Sequence, residues 1–190
     1  MIHCPSSFIL ASGSPRRQEL LKHFGFPFQI ILPTLEEKAE GSIEEIVLSL
    51  AKQKGEEVFN NHSDSFVLSA DTLVGIDGEV LGKPQDENHA KIMLQKLSDN
   101  WHQVYTGVVL HCPNGEVLTD VNKTDVHFMP LSLDIIRKYI QSKEPMDKAG
   151  AYGMQEMGGS FVKEIHGSPS NVIGLPLHVC MSFFTKLGWV

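Results

Sequence analysis

Hydrophobic and polar positions along the chain switch repeatedly between the period of a strand and that of a helix. The apolar run at 8–11 predicts a buried strand, and Leu20, Leu21 and Phe24 at helical spacing predict a helix that Gly25 stops. A second strand is expected at 28–32, ended by Pro33. From Ser42 onward, Ile43, Ile46, Val47, Leu50, Ala51 and Val58 form the apolar stripe of a long helix, with Glu44 and Glu45 suited to its positive end. A strand at 66–70 follows, with Asp71-Thr72 at its end. Asp77-Gly78 then predicts a hairpin turn between 73–76 and 79–81. Ala90, Met93, Leu94 and Leu97 mark a helix over 87–97, and the runs 101–110 and 116–128 predict a long hairpin turning at Pro113-Asn114-Gly115. Ile135, Ile136, Tyr139 and Ile140 mark a further helix with Ser132 as its cap. Residues 161–165 read as a strand, 167–171 as a loop and 175–187 as a buried helix. The sequence shows no repeats, low-complexity segments or clear linker.

Composition narrows the possibilities in three ways. With 190 residues the chain is one domain or two closely joined lobes, long enough to bury a core. A net charge of -7 argues against bulk affinity for nucleic acid or anionic membrane, and no apolar run approaches membrane-spanning length. Cys4, Cys112 and Cys180 are odd in number and far apart, which matches neither a disulfide framework nor a zinc site. Reduced thiols in a cytoplasmic protein are the expectation.

Against that acidic background, Ser12-Gly13-Ser14-Pro15-Arg16-Arg17 stands out. It joins a strand to a helix, with Ser14 suited to the N-cap and Pro15 to the first helical position. The turn offers backbone N–H groups, the hydroxyls of Ser12 and Ser14, and the positive end of a helix dipole. Arg16 and Arg17 add cations where that dipole disfavours them, and an anion such as a phosphate or polyphosphate is the natural counterpart. A capped helix carrying two solvated arginines is the competing reading.

Other positions carry chemistry more weakly. Glu36-Glu37-Lys38 is an acidic pair beyond a strand end, where an open α/β sheet presents its ligand crevice; solvated loop charge is the simpler account. Lys54 lies on or beside a buried stripe, so it either reaches solvent along its stem or enters a cleft. Asp71, directly after a buried strand, suits metal-binding or base chemistry, or merely a cap. Gly82-Lys83-Pro84 superficially resembles a Walker loop but lacks its spacing and its hydroxyl residue, although Lys83 can still meet phosphate. His102 reads equally as a structural or a catalytic histidine. The stretch 144–155 is rich in small residues yet holds Asp147, Lys148, Tyr152 and Gln155, as a loop that approaches a ligand closely would. There Gln155 is placed to read a base edge and Tyr152 to stack on it.

Taken together, these residues resemble the Maf proteins, nucleoside triphosphate pyrophosphatases also described as septum formation inhibitors. The resemblance rests on 12–17, Leu50-Ala51-Lys52-Gln53-Lys54, Ala70-Asp71-Thr72, Gly82-Lys83-Pro84, Asp147-Lys148-Ala149-Gly150-Ala151-Tyr152-Gly153 with Gln155, and 172–177. These motifs span nearly the whole chain in order. The 147–155 stretch is similar to the subgroup acting on dTTP and UTP, not to the paralogues that prefer 7-methyl-GTP. The resemblance implies an elongated α/β fold of the Maf/ITPase-like kind, with a mixed β-sheet, flanking helices and two lobes around a central cleft, commonly dimeric. It implies that Asp71 is the catalytic proton acceptor and that Arg16, Thr72 and Gln155 help set substrate choice. Ser12, Arg17, Glu37, Lys54 and Lys83 match polar positions lining the family's cleft. The chain departs from the subgroup at Glu156-Met157, where glycine usually follows the glutamine, and at Gly55, where alanine is common.

The reaction expected on this basis is hydrolysis between the α- and β-phosphates, giving the monophosphate and pyrophosphate. The 12–17 turn, with Ser12, Ser14 and Arg17, would hold phosphate oxygens, while Lys54 and Lys83 would neutralise charge on the leaving pyrophosphate. Glu37 and Asp71 would hold a divalent cation, Mg²⁺ or Mn²⁺, and Asp71 would take the proton of the attacking water. Which of the two carboxylates is ligand and which is base stays open. Two alternatives accompany this expectation: a pyrophosphatase for 7-methyl-GTP or another modified nucleotide, and a nucleotide sensor of septum formation that does not hydrolyse.

Overall fold

The structure, a computed structural model, describes residues 7–36 and 38–190. β1 (Phe8–Leu10) pairs in parallel with β2 (Gln29–Ile30) on one side and β3 (Phe66–Ile76) on the other. Parallel neighbours need crossover connections, and α1 (Pro15–Lys22) and α2 (Ile43–Asn61) supply them. Both helices begin at side-chain caps. The Ser14 hydroxyl accepts from the Arg17 N–H, and Ser42 forms a reciprocal capping box with Glu45.

β4 (Glu79–Leu81) runs antiparallel to the end of β3. Ile76 faces Glu79, which leaves Asp77-Gly78 as a two-residue loop. Both loop residues have positive φ, +50° and +79°, the geometry of the primed turn that matches strand twist. α3 (Glu87–Leu97), β5 (Trp101–His111), β6 (Val117–Phe128) and α4 (Leu133–Gln141) follow. Three 3₁₀ turns then lead to β7 (Val162–His166), antiparallel to β6, and to α5 (Pro169–Ile173) and α6 (Leu177–Lys186). The result is a mixed seven-stranded sheet ordered β2-β1-β3-β5-β6-β7, with β4 on β3.

The chain forms two compact units, neither continuous in sequence. One comprises the chain up to Asp71 with Thr106–Asn122 and Gly174–Val190; the other comprises Thr72–Tyr105 and Lys123–Ile173. The first is built on aromatic packing: Phe8 meets Phe26, Phe24 meets Phe184 edge-on at 4.9 Å, and Phe66 meets Trp189 edge-on at 4.7 Å. The second closes around Val74, Leu94, Leu97, Val126, Phe128 and Tyr139. Each buried side chain of this kind contributes about 1.5–3 kcal/mol.

Several expectations change in the structure. β3 does not stop before Asp71 but runs eleven residues without a break, so Asp71 lies in the middle of a strand. The polar pair Asp71-Thr72 resembles a strand end in sequence, yet a paired carboxylate is tolerated inside the ladder. β2 is shorter than 28–32 because it is the sheet's edge and leaves Ile30 and Leu32 exposed. α5 starts at Pro169, within the 167–171 segment read as a loop, and runs two residues past its end. The thiols of Cys112 and Cys180 are buried, and burial pushes them up to about 11 and about 12, which makes them inert.

Gly55 has a steric reason. A Cβ there would lie 2.5 Å from Ser69 Oγ and 2.8–2.9 Å from the His111 ring. Neither neighbour yields easily, since Ser69 donates to the Ala51 carbonyl at 2.7 Å and His111 stacks on Phe59. Overpacking of this kind costs about 1–3 kcal/mol, against about 1 kcal/mol gained in helix propensity. Gly55→Ala is therefore expected to lower the urea midpoint; a raised midpoint would show that the ring and hydroxyl can move aside.

Candidate functional site

In the first unit the site begins where β1 ends. Ala11 N–H still bonds the Leu68 carbonyl at 2.8 Å, and the chain then turns away into α1. The carboxyl end of a parallel strand beside a helix N-terminus is where α/β proteins take ligands. Inside the turn, Ser12 Oγ accepts from the Ser14 N–H at 3.2 Å and from Arg17 Nη1 at 3.3 Å. Arg17 Nε donates to the Gly174 carbonyl at 2.8 Å. The Arg17 guanidinium, expected to hold phosphate, thus also ties the turn to the segment before α6. Ser12 is buried and has both its bonds as acceptor, so its single O–H is what it can offer an incoming oxygen. Arg16 is half-buried one residue earlier.

The second element of this unit is an ion pair. Lys54, on α2, donates from Nζ to Asp71 Oδ1 on β3 at 2.6 Å, with only 12% and 11% of the two side chains exposed. Between the two courses left open for Lys54, the inward one is taken. Its ammonium holds a carboxylate that a mid-strand position would otherwise bury unpaired.

The second unit holds Thr72, Lys83 and Gln155. Thr72 follows Asp71 in β3 and is half-buried, whereas Lys83 and Gln155 are exposed. The Gly150 N–H donates to the Gly82 carbonyl at 3.1 Å, which ties the segment bearing Lys83 to the loop that leads to Gln155. Tyr152 is not placed to stack on a base. Its ring is buried against Phe128, and its hydroxyl lies 2.9 Å from His102 Nε2. His102 is structural: burial pushes it down to about 4, so it stays neutral inside this pair. Lys148 is likewise buried, held by the Glu144 carbonyl and Asp147.

Of the two carboxylates expected to hold a cation, Glu37 lies outside the described residues, and Asp71 is described. Among the described residues no group of three or more His, Cys, Asp or Glu side chains forms a metal cage. Asp71 offers hard carboxylate oxygen, the donor type that Mg²⁺ takes together with water and substrate phosphates.

Comparison with known proteins gives the family and the fold. The sequence pattern described as Maf-like protein matches residues 7–187. The chain belongs to the Maf family. A dTTP/UTP pyrophosphatase of Caldicellulosiruptor bescii is 45% identical over 188 residues, covering 95% of this chain and 94% of that one. Those of Halalkalibacterium halodurans and Clostridium novyi are 48% and 47% identical over 171 and 185 residues, covering 89% and 95% of this chain and 90% and 97% of theirs. Among solved structures, a HAM1 protein from Coxiella burnetii aligns over 97% of this chain and 99% of its own with a TM-score of 0.52. At 14% identity that likeness shows a shared fold. No described helix is long and apolar enough to cross a membrane.

Sequence reasoning did not single out Glu144 or Tyr139. Both contact the loop around Gln155, and the only signal was that Glu144 opens the small-residue stretch.

Proposed function

We propose that this protein is a nucleoside triphosphate pyrophosphatase acting on dTTP and UTP, giving the monophosphate and pyrophosphate. The observation that carries the reading is Asp71 held in mid-strand by Lys54 at 2.6 Å, beside the strand whose end opens into the 12–17 turn. The names of relatives at 45–48% identity support the substrate class.

A nucleoside triphosphate brings about four negative charges, which the site must meet with cations and N–H donors. The α1 N-terminus, the Ser12 and Ser14 hydroxyls and Arg17 bind phosphate oxygens, Lys54 and Lys83 answer charge on the leaving pyrophosphate, and Arg16 and Thr72 help set substrate choice. Asp71 takes the proton of the water that attacks phosphorus, and the bond from that phosphorus to the pyrophosphate oxygen breaks. Lys54 holds the Asp71 carboxylate in the orientation for that transfer. Glu37 and Asp71 would hold Mg²⁺ or Mn²⁺, which supplies positive charge to the triphosphate when bound. Action in the cytoplasm as a homodimer belongs to the same reading; sedimentation tests the second part.

The test is pyrophosphate release from a panel of dTTP, UTP, CTP and 7-methyl-GTP with Mg²⁺, Mn²⁺ or EDTA. Turnover of dTTP and UTP that EDTA abolishes is the expected result. Turnover of 7-methyl-GTP alone would retain the enzyme and remove the pyrimidine assignment. Binding of dTTP without pyrophosphate release would favour the sensor.

Base choice is assigned to Gln155, whose amide can meet the O4/N3 edge shared by uracil and thymine. Gln155→Ala is expected to reduce the preference for dTTP and UTP over CTP about tenfold, the worth of about one hydrogen bond. An active variant with unchanged preference would show that Gln155 does not read the base.

A further inference from the structure

The loop that carries Gln155 is closed at both flanks by one carboxylate. It opens with the 3₁₀ turn Glu144–Asp147 and closes with the 3₁₀ turn Met157–Phe161. The Tyr139 hydroxyl, from α4, donates to Glu144 Oε1 at 2.8 Å, and the Gly158 N–H donates to the same oxygen at 3.0 Å. The Met157 N–H donates to Oε2 at 3.1 Å. The Tyr139 oxygen in turn accepts from the Gly153 N–H at 3.2 Å. Gly153 stands two residues before Gln155 and Met157 two residues after it, so both flanks are held by the Glu144–Tyr139 pair.

The pair is well suited to this task. Tyr139 is fully buried, and burial, followed by its bond to Glu144, raises its pKa and keeps the hydroxyl a donor. A carboxylate accepting three hydrogen bonds has no donor of its own to conflict with them. The backbone is drawn in so closely that a Cβ on Gly158 would lie 2.5 Å from the Tyr139 hydroxyl, and one on Gly159 would overlap the Met154 carbonyl. Gln155 therefore sits exposed at the tip of a short, braced segment.

We infer that Glu144 is a positioning residue for base selection: through Tyr139 and the Met157 and Gly158 amides it fixes the backbone from which Gln155 presents its amide. The inference rests on the assignment of Gln155 as the base reader. Glutamine can satisfy the edge of uracil or, when turned, that of cytosine, so discrimination needs a backbone that holds the amide in one place. A loop free to shift lets the same side chain meet either edge.

Glu144→Gln tests this with little change of shape, because the amide keeps one acceptor oxygen and sets an NH₂ against an N–H or O–H donor. Tyr139→Phe is the second variant; it keeps the ring and releases the Gly153 N–H. For each, kcat and KM are measured with dTTP, UTP and CTP, alongside hydrogen exchange at the Gly153, Met157 and Gly158 amides. The expected result is faster exchange at these amides and a preference over CTP reduced about tenfold, through KM, with kcat little changed. Faster exchange with unchanged base preference, in variants that remain folded, overturns the inference. Gln155→Ala separates the two assignments. Preference lost there but kept in both other variants overturns only the role of Glu144. Preference kept in Gln155→Ala removes the base reader, and the role of Glu144 falls with it.

Discussion

Replacing Asp71 by asparagine is expected to slow pyrophosphate release from dTTP and UTP by about 10²–10⁴-fold, the usual worth of a general base. The side chain keeps its size and one hydrogen-bonding oxygen, so β3 retains its pairing with β1 and the fold is preserved. What disappears is the ability to take a proton. Two measurements make the result interpretable, the urea midpoint and dTTP binding. The midpoint should fall because Lys54 loses its carboxylate, though less than in a variant lacking the ammonium, since the asparagine oxygen still accepts from Nζ. Binding of dTTP should persist because the phosphate contacts of the 12–17 turn are untouched. Turnover within a few-fold of the parent, in a folded protein, would remove Asp71 from the chemistry and leave the Lys54 pair as a structural device.

The second large effect is expected at the partner. Lys54→Met preserves the length and apolar stem of the side chain but leaves the Asp71 carboxylate, 11% exposed, without its ammonium. Breaking a buried pair by removing one member typically costs about 3–5 kcal/mol, because the remaining charge is stranded. The expected result is a urea midpoint far below the parent's and activity reduced with it. The double variant Lys54→Met with Asp71→Asn has no stranded charge and should recover much of the lost stability, a strong departure from additivity. Stability of Lys54→Met within about 0.5 kcal/mol of the parent would show that the carboxylate finds water or another partner. That figure is the scale on which independent sites add.

The two variants separate roles that the structure brings together. Asp71→Asn removes proton transfer together with the carboxylate charge that would help hold a cation, and Lys54→Met tests what keeps that carboxylate inside a strand. The pair also explains why Asp71-Thr72 was misread as a strand end. The strand rule scores each residue by its own polarity, and a carboxylate scores as a break. It ignores a lysine seventeen residues earlier, which becomes a neighbour only once α2 packs on β3.

Other parts of the site divide along the same line. The 12–17 turn was legible because its signals are local: a capping serine, a proline at the first helical position, and two arginines where the dipole disfavours them. That Arg17 also grips the Gly174 carbonyl was not legible, since the two lie 157 positions apart. Tyr152 shows the opposite failure. An aromatic residue in a glycine-rich loop suggested stacking on a ligand, whereas the ring is part of the core and bonds His102. Its burial follows from long-range packing on Phe128, which no local pattern records.

The sequence by itself determined the helices α1 to α4, the primed turn at Asp77-Gly78, the long β5–β6 hairpin and the resemblance to Maf proteins. Each depends on periodicity, capping or turn chemistry within a few residues, or on motifs kept in order. The tertiary structure alone decided that β3 is continuous, that Lys54 turns inward to Asp71, that Gly55 yields its space to Ser69 and His111, and that Glu144 braces the Gln155 loop. These are pairings across the sheet or between separate elements. Their free energy comes from burial and from matching a charge or donor to a distant partner, and that match exists only once the chain has closed on itself.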